Sequence, residues 1–565
     1  MDLSRCVLLF LSSVLTVSGF QSKNCTISCY CYELNNRPNI KVICDTGFWK
    51  RIPDVPYHTE QLYLEGSDIG VLQGPPKCVN YEELEIVSVK KNKITAISDS
   101  AFRCFNNLSV LNINVNRLRM VSPSAMIHMT ALQYLGLDNN QFTSKIIKTL
   151  CQLKSIETIT LSQNKLVLNE GSLECMAHLE KLHSIQFNGN YFNGSFRNIM
   201  WPLRNVSMLE TKSCRIKDLA EDTFYGFYTK SINLNSNSIK KVGKYTFSNL
   251  TYLSQLDLGN NPLKGSHDWI TTLEQPSNLY INNIGLSEVP PLPKNVKQIS
   301  LERNKINTLK NHSFYDMPKL KIILMINCRI EEIEAMSFSE LPKLEILDLQ
   351  ENHINGKHLM NLLSSLANST TPQLTLGGNP IKSLDKTIFD AFFPNSLQTL
   401  LLKHCGIEDI GSETFIRLTS LVKLDLSYNK LTKLEKDTFK GLHSLTGLFL
   451  ENNHLYDFNG EYNGIQDSPL RFLNLAKNGI KFFSSGTLGG VKDVTNLDLS
   501  NNGLTSIKQK LFQKMPSLTS LTFRDCRLSH IQNGSFFNLR NMTKLDISQN
   551  QLYLIFGGQS FCLHL

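Results

Sequence analysis

Asparagine returns along this chain at a nearly constant interval, and that interval limits what the chain can build. In the pattern L-x-x-L-x-L-x-x-N-x-L the Asn slot is filled at Asn92, Asn116, Asn140, Asn164, Asn190, Asn237, Asn261 and Asn304, and again at Asn352, Asn379, Asn429, Asn453, Asn478, Asn502 and Asn550. Cysteine takes the slot at Cys214, Cys328, Cys405 and Cys526, while Ser67 and Ile284 fill two weaker copies. These make 21 repeats. Their usual spacing, about 24 residues, is that of an array whose units are single supersecondary elements. A unit that short cannot bury a hydrophobic face alone, so the units must stack into a continuous solenoid closed by caps.

The leucines specify one short strand per repeat, as in Leu424-x-Leu426 and Leu497-x-Leu499. Parallel strands about 4.8 Å apart give a sheet roughly 100 Å long for this many repeats. The expected fold is α/β: a leucine-rich-repeat solenoid (horseshoe) with a parallel concave β-sheet and an irregular convex side. After each strand the chain turns, and the buried backbone groups of the turn need partners. An Asn amide offers two donors and an acceptor, so stacked Asn side chains can bond the turns of neighbouring repeats. Cysteine is small, apolar and a weak donor. The four slot cysteines therefore read as buried thiols, and they lie too many repeats apart to share a metal. Ten residues past the slot stand Phe102, Phe224, Phe247, Phe314, Phe338, Phe389, Phe415, Phe439, Phe512 and Phe536. An aromatic stripe can line a ligand pocket, but this fixed offset marks a packed spine under the convex side.

The first 19 residues read as a secretory signal peptide. Arg5 is the charged flank, Cys6 to Val17 is an apolar run too short to span a bilayer, and Val17-Ser18-Gly19 fits cleavage before Phe20. The mature chain is then expected outside the cell, where disulfides persist. Residues 20–58 form a cysteine-rich N-terminal cap, 59–555 the repeats, and 556–565 a tail that reads as truncated. Cys25, Cys29, Cys31 and Cys44 stand in the cap; zinc ligation is the rival reading to disulfides there. Cys78 and Cys104 fall at nearly the same offset past their own slots, Ser67 and Asn92, and Cys151 and Cys175 at the same offset past Asn140 and Asn164. Near-equal offsets in adjacent repeats bring Cα atoms toward bridging range, so Cys78–Cys104 and Cys151–Cys175 are expected disulfides. Cys562 is left without an evident partner, at the point where a C-terminal cysteine cap would begin. No further apolar run is long enough for a membrane span, and no lipid-anchor motif follows.

Nine N-x-S/T sequons occur, at Asn24, Asn107, Asn193, Asn205, Asn249, Asn311, Asn368, Asn533 and Asn541, and none falls in an expected strand. Either strands simply hold few sequons, or the sheet face is kept bare for partners. Net charge is +9, from 58 basic and 49 acidic residues, with no dense basic stripe. That permits an anionic ligand without demanding one. The residue between the two central leucines faces solvent and is mostly polar, with Tyr63, Tyr280, Leu324, Leu401 and Phe449 as large exceptions. Lys403, His404, Tyr428 and Lys477 lie near the later ones. The expected contact zone is therefore Leu324, Leu401, Lys403, His404, Tyr428, Phe449 and Lys477; the rival reading is that scattered apolar residues are normal on any surface. The repeat shortens through Asn261, Ile284 and Asn304, and lengthens through Asn352, Asn379 and Cys405. No H-E-x-x-H, G-x-S-x-G or phosphate-cradling loop is present, so neither an enzyme nor a cofactor or metal is expected.

The signal peptide, the cysteine cap, the repeats with Asn or Cys in the slot, the Phe spine and the many sequons together resemble a Toll-like receptor ectodomain over essentially the whole mature chain. The cap itself resembles that of extracellular leucine-rich-repeat proteins, which implies Cys25–Cys31 and Cys29–Cys44. The receptor resemblance implies innate-immune pattern recognition, with a microbial lipid, protein or nucleic acid as ligand and a homo- or heterodimer as the working form. It departs from that family in showing no C-terminal cap, membrane span or cytoplasmic signalling domain. A soluble decoy and a fragment of a longer receptor both fit. The alternative is a secreted matrix or adhesion protein built from the same repeats.

Overall fold

The computed structural model describes residues 29–555 apart from 35–38, 45–48, 50, 76, 367–368, 370, 391–395, 484–487, 489, 538 and 553. The expected signal peptide, Asn24, Cys25, Asn368, Cys562 and the tail 556–565 lie outside the described residues. The chain forms two compact units, residues 1–253 and 254–565.

In the first unit, Tyr30–Glu33 pairs antiparallel with Ile40–Ile43, which runs parallel to Thr59–Tyr63. Parallel three-residue strands then follow at Ile86–Ser88, Val110–Asn112, Tyr134–Gly136, Thr158–Thr160, Ser184–Gln186, Met208–Glu210 and Ser231–Asn233. The second unit repeats the arrangement from Gln255–Asp257 to Lys544–Asp546, every strand parallel to the next. The middle residue of each strand points into the core; Leu424, Leu448 and Ile323 are fully buried. Helix is sparse among the described residues. The helix Gly356–Ser365 fills the long step between Asn352 and Asn379, with the Asn355 side chain accepting from the His358 amide at 3.1 Å.

The slot asparagines bond as their chemistry requires. Asn429 donates through Nδ2 to the carbonyls of Leu402 at 2.9 Å and Leu426 at 2.8 Å, and its Oδ1 accepts from the amides of Cys405 at 2.9 Å and Ile407 at 3.0 Å. One side chain thus ties its own turn to the preceding one. Cysteine supplies the donor half of this lock, for Cys405 Sγ donates to the Leu376 carbonyl at 3.3 Å. Ser67 donates back to Cys44 in the same way, at 2.9 Å. At Ile284 the lock is carried from the next repeat, where Asn304 Oδ1 accepts from the amides of Ile284, Gly285 and Leu286.

The residue just before each of the 21 slots has a positive φ, from Gly66 through Val115, His404 and Tyr428 to Gln549. Only three of these are glycine: Gly66, Gly189 and Gly378. A left-handed backbone at a bulky or β-branched residue is unfavourable and holds only where the surroundings over-determine it. Here the slot bonds and the strand pairing do so. The phenylalanines stack as a spine: Phe224 with Phe247 at 5.3 Å, Phe314 with Phe338 at 5.3 Å, Phe415 with Phe439 at 6.2 Å and Phe512 with Phe536 at 6.1 Å.

Disulfides join Cys29 to Cys44, Cys78 to Cys104 and Cys151 to Cys175. Cys31 is also disulfide-bonded. Cys214, Cys328, Cys405 and Cys526 are free and buried.

Candidate binding face

The solvent side of the sheet in the second unit carries a joined aromatic and cationic cluster. His404 and Tyr428 stand at the left-handed position of adjacent repeats, which brings their rings to 4.6 Å. Lys403 Nζ lies 4.4 Å from the centre of the Tyr428 ring, and Lys477 Nζ lies 6.0 Å from it. Glu451 organises the group: it pairs with Lys477 at 2.9 Å and accepts from the Tyr428 hydroxyl at 3.4 Å and from Asn474 at 3.3 Å. The hydrogen bond and charge of Glu451 hold the Lys477 ammonium above its ordinary pKa, keeping it cationic.

One strand further on, the Phe449 ring lies over Gly447, where a Cβ would meet it at 3.1 Å. Lys423 Nζ stands 5.1 Å from the same ring. Phe472, paired in register with Gly447, is 48% exposed. Phe449 and Phe472 wall a shallow groove of about 200 Å³ whose other side is Asn496, Asp498, Ser520 and Thr522. Cations close to aromatic faces attract them by about 0.5–1 kcal/mol where exposed, which preorganises the lysines over the rings.

Of the residues expected in the contact zone, Lys403, His404, Tyr428 and Lys477 come together. Leu401 adjoins them through its pairing with Asp425, and Phe449 through its pairing on the other side of Asp425. Leu324 does not. It stands three strands away, paired with Ser300 and Asp348, beside the half-buried Ile322 and Ile346. Burial raises the pKa of Asp348 there, and burial together with Asp348 raises that of Glu302. Lys423, Glu451 and Phe472 belong to the cluster and are missed by a reading of the residue between the leucines alone. Lys423 and Phe472 occupy the first strand residue, the second outward-facing position, so reading both columns would have found them.

A larger hollow of about 430 Å³ lies in the first unit, between Tyr191 and Thr223. Both of its arginines are already engaged: Arg197 pairs with Asp222 at 3.3 Å and donates to the carbonyls of Thr223 and Tyr225, and Arg215 sits 5.6 Å from the Tyr191 ring. Among the described residues, no group of three or more His, Cys, Asp or Glu is placed to hold a metal, and no helix is long and apolar enough to cross a membrane. The seven described sequon asparagines are all exposed, and none lies on a strand.

Stacked three-residue strands, a slot lock per turn and a ring spine define a repeat scaffold that presents an outward sheet face in each unit. The chain belongs to the leucine-rich-repeat family, whose signature matches residues 82–142, 204–263, 294–354, 395–455, 468–528 and 492–552. It is similar to lumican of Homo sapiens, 34% identical over 235 residues that make up 40% of this chain and 65% of lumican. It is also similar to osteomodulin of Bos taurus, 28% identical over 280 residues, 49% of this chain and 52% of that protein. The chain thus spans between half and two thirds of these relatives. Among solved structures, the mouse RP105/MD-1 complex matches with a TM-score of 0.58 and 19% identity over 93% of this chain and 84% of that one. The TLR13–ssRNA13 complex matches with a TM-score of 0.50 and 20% identity over 94% and 93%. The Toll–Spatzle complex of Drosophila matches with a TM-score of 0.53 and 16% identity over 88% and 67%. At these identities the likeness is one of fold.

Proposed function

We propose that this chain is an extracellular pattern-recognition protein resembling a Toll-like receptor ectodomain, which binds a microbial lipid, protein or nucleic acid in innate immunity. It acts either as a soluble decoy or as part of a longer receptor, alone or paired with a second receptor chain. The observation that carries the reading is the cluster around Tyr428: aromatic rings and lysines gathered on a mostly polar sheet face, where partner-anchoring residues concentrate. Further support comes from the fold shared with chains solved in complex with RNA, MD-1 and Spatzle. The test is binding of the purified chain to a panel of lipopeptide, flagellin-like protein and RNA, with Tyr428→Ala and Phe472→Ala beside the unaltered protein. One class binds, and each substitution weakens it by about tenfold or more, as for a central anchor worth about 1.4 kcal/mol or more. Failure of all three classes to bind overturns the reading.

A second reading, a secreted matrix or adhesion protein, is supported by the stretch shared with lumican and osteomodulin. Binding to collagen or a growth factor, and to nothing in the microbial panel, would favour it.

A further inference from the structure

Four large aromatic side chains of the first unit stand in solvent on the turns beyond the phenylalanine spine. Tyr225, Tyr228 and Tyr252 are 62%, 60% and 61% exposed, and Trp201 is 40% exposed. They form a patch. The Trp201 ring rests over Gly226, where a Cβ would meet it at 3.2 Å, and the Tyr228 and Tyr252 rings are 6.4 Å apart. Contiguous exposed aromatic surface on this scale is normally covered by something.

Two sequons stand within it. Asn205 follows Arg204, whose carbonyl accepts from the Tyr228 amide at 2.9 Å. Phe224 and Phe247 stack ring on ring, and two residues past each are Gly226 and Asn249. Asn249 is therefore one repeat away from the glycine beneath the Trp201 ring. Both asparagines are exposed.

We propose that this patch is the bed of the chain's own N-glycans: the sugar on Asn249 packs against Trp201 and Tyr225, and the sugar on Asn205 against Tyr228 and Tyr252. Attachment replaces one Nδ2 hydrogen by the anomeric carbon of a lipid-diphosphate-linked oligosaccharide of the secretory pathway, and the lipid diphosphate leaves with the proton. A pyranose ring is amphipathic. Its C–H face lies on an aromatic ring while its hydroxyls stay in water or meet Arg197 and Arg204, whose guanidiniums each lie 4.9 Å from the Trp201 ring. A docked protein fits poorly on the same surface, because two bulky glycans rooted inside the patch would hold it off.

The inference rests on the secretory reading, and the test separates the two. The chain is produced glycosylated in a eukaryotic secretory host, and its sites are mapped by peptide mass. Acrylamide quenching of tryptophan emission is then compared among the unaltered protein, Asn249→Gln and Trp201→Phe, the last isolating the Trp201 signal. Asn249→Gln should raise the Trp201 quenching constant at least twofold and shift its emission to the red, whereas Asn533→Gln in the second unit should change neither. Should Asn249→Gln not fold, amidase removal of the glycan from the folded protein gives the same comparison. Unchanged Trp201 quenching with Asn249 fully occupied overturns the proposal and leaves the secretory reading standing. No glycan at any sequon overturns both.

Discussion

At the scale of single residues, the slot asparagine is a four-bond clamp, and its loss strands groups that water cannot reach. Asn429→Ala removes two carbonyls' donors and two amides' acceptor at once, at a cost of about 2–4 kcal/mol. Hydrogen exchange should speed up first at the Cys405 and Ile407 amides, which bond Asn429 Oδ1. Asn429→Cys should fall between the two, because a thiol there can still donate as Cys405 does to Leu376. The natural slot thiols carry a pH signature. Burial pushes Cys214, Cys328 and Cys405 up to about 12 and Cys526 up to about 11, from an ordinary 9.0. They lose their protons more readily unfolded than folded. Their stabilising contribution is therefore complete below pH ~9 and drains away as pH rises through ~12. The denaturation midpoint should fall over that window, and Cys405→Ala should lessen the fall. Alkylation at pH ~8 should leave all four untouched until the chain unfolds, since only the thiolate reacts.

At the scale of elements, turns and caps hold the repeats in register. Gly441 has φ +91°, and a Cβ on it would lie 2.4 Å from the Ile416 carbonyl oxygen. Gly441→Ala meets both a disfavoured backbone and a rigid obstacle, and should cost about 2–3 kcal/mol by denaturant titration. The helix Gly356–Ser365 depends on Asn355 at its start; Asn355→Ala should cost about 1 kcal/mol and Asn355→Gly only a few tenths. The strands, the spine and the lock were legible because each recurs in register, so that one repeat checks another. The left-handed residue before each slot was not, since Val115, Tyr428 and Lys477 are not residue types that advertise a positive φ. The Tyr428 cluster was legible only in part. Its members are spread over successive repeats from Lys403 to Lys477, and outward-facing columns can be aligned only once the register is known.

At the scale of the molecule, covalent and non-covalent reinforcement are unevenly spread. The three disulfides with both partners described all lie within the first unit, whereas three of the four free thiols among the described residues lie in the second. Mild reduction should therefore lower the melting of residues 29–253 and leave that of 254–555 unchanged, as followed by exchange mass spectrometry; each lost bridge is worth about 2–4 kcal/mol. Equal destabilisation of both would contradict a solenoid whose repeats feel chiefly their neighbours. The amino-acid sequence alone determined the repeat, the inward leucines, the polar lock and the pairs Cys78–Cys104 and Cys151–Cys175, because a scaffold position is written 21 times and each copy must satisfy the same burial and hydrogen bonds. Only the tertiary structure decided which outward side chains meet. Cation over ring, ring over glycine and sequon beside aromatic each join residues on separate turns, and no periodicity encodes them.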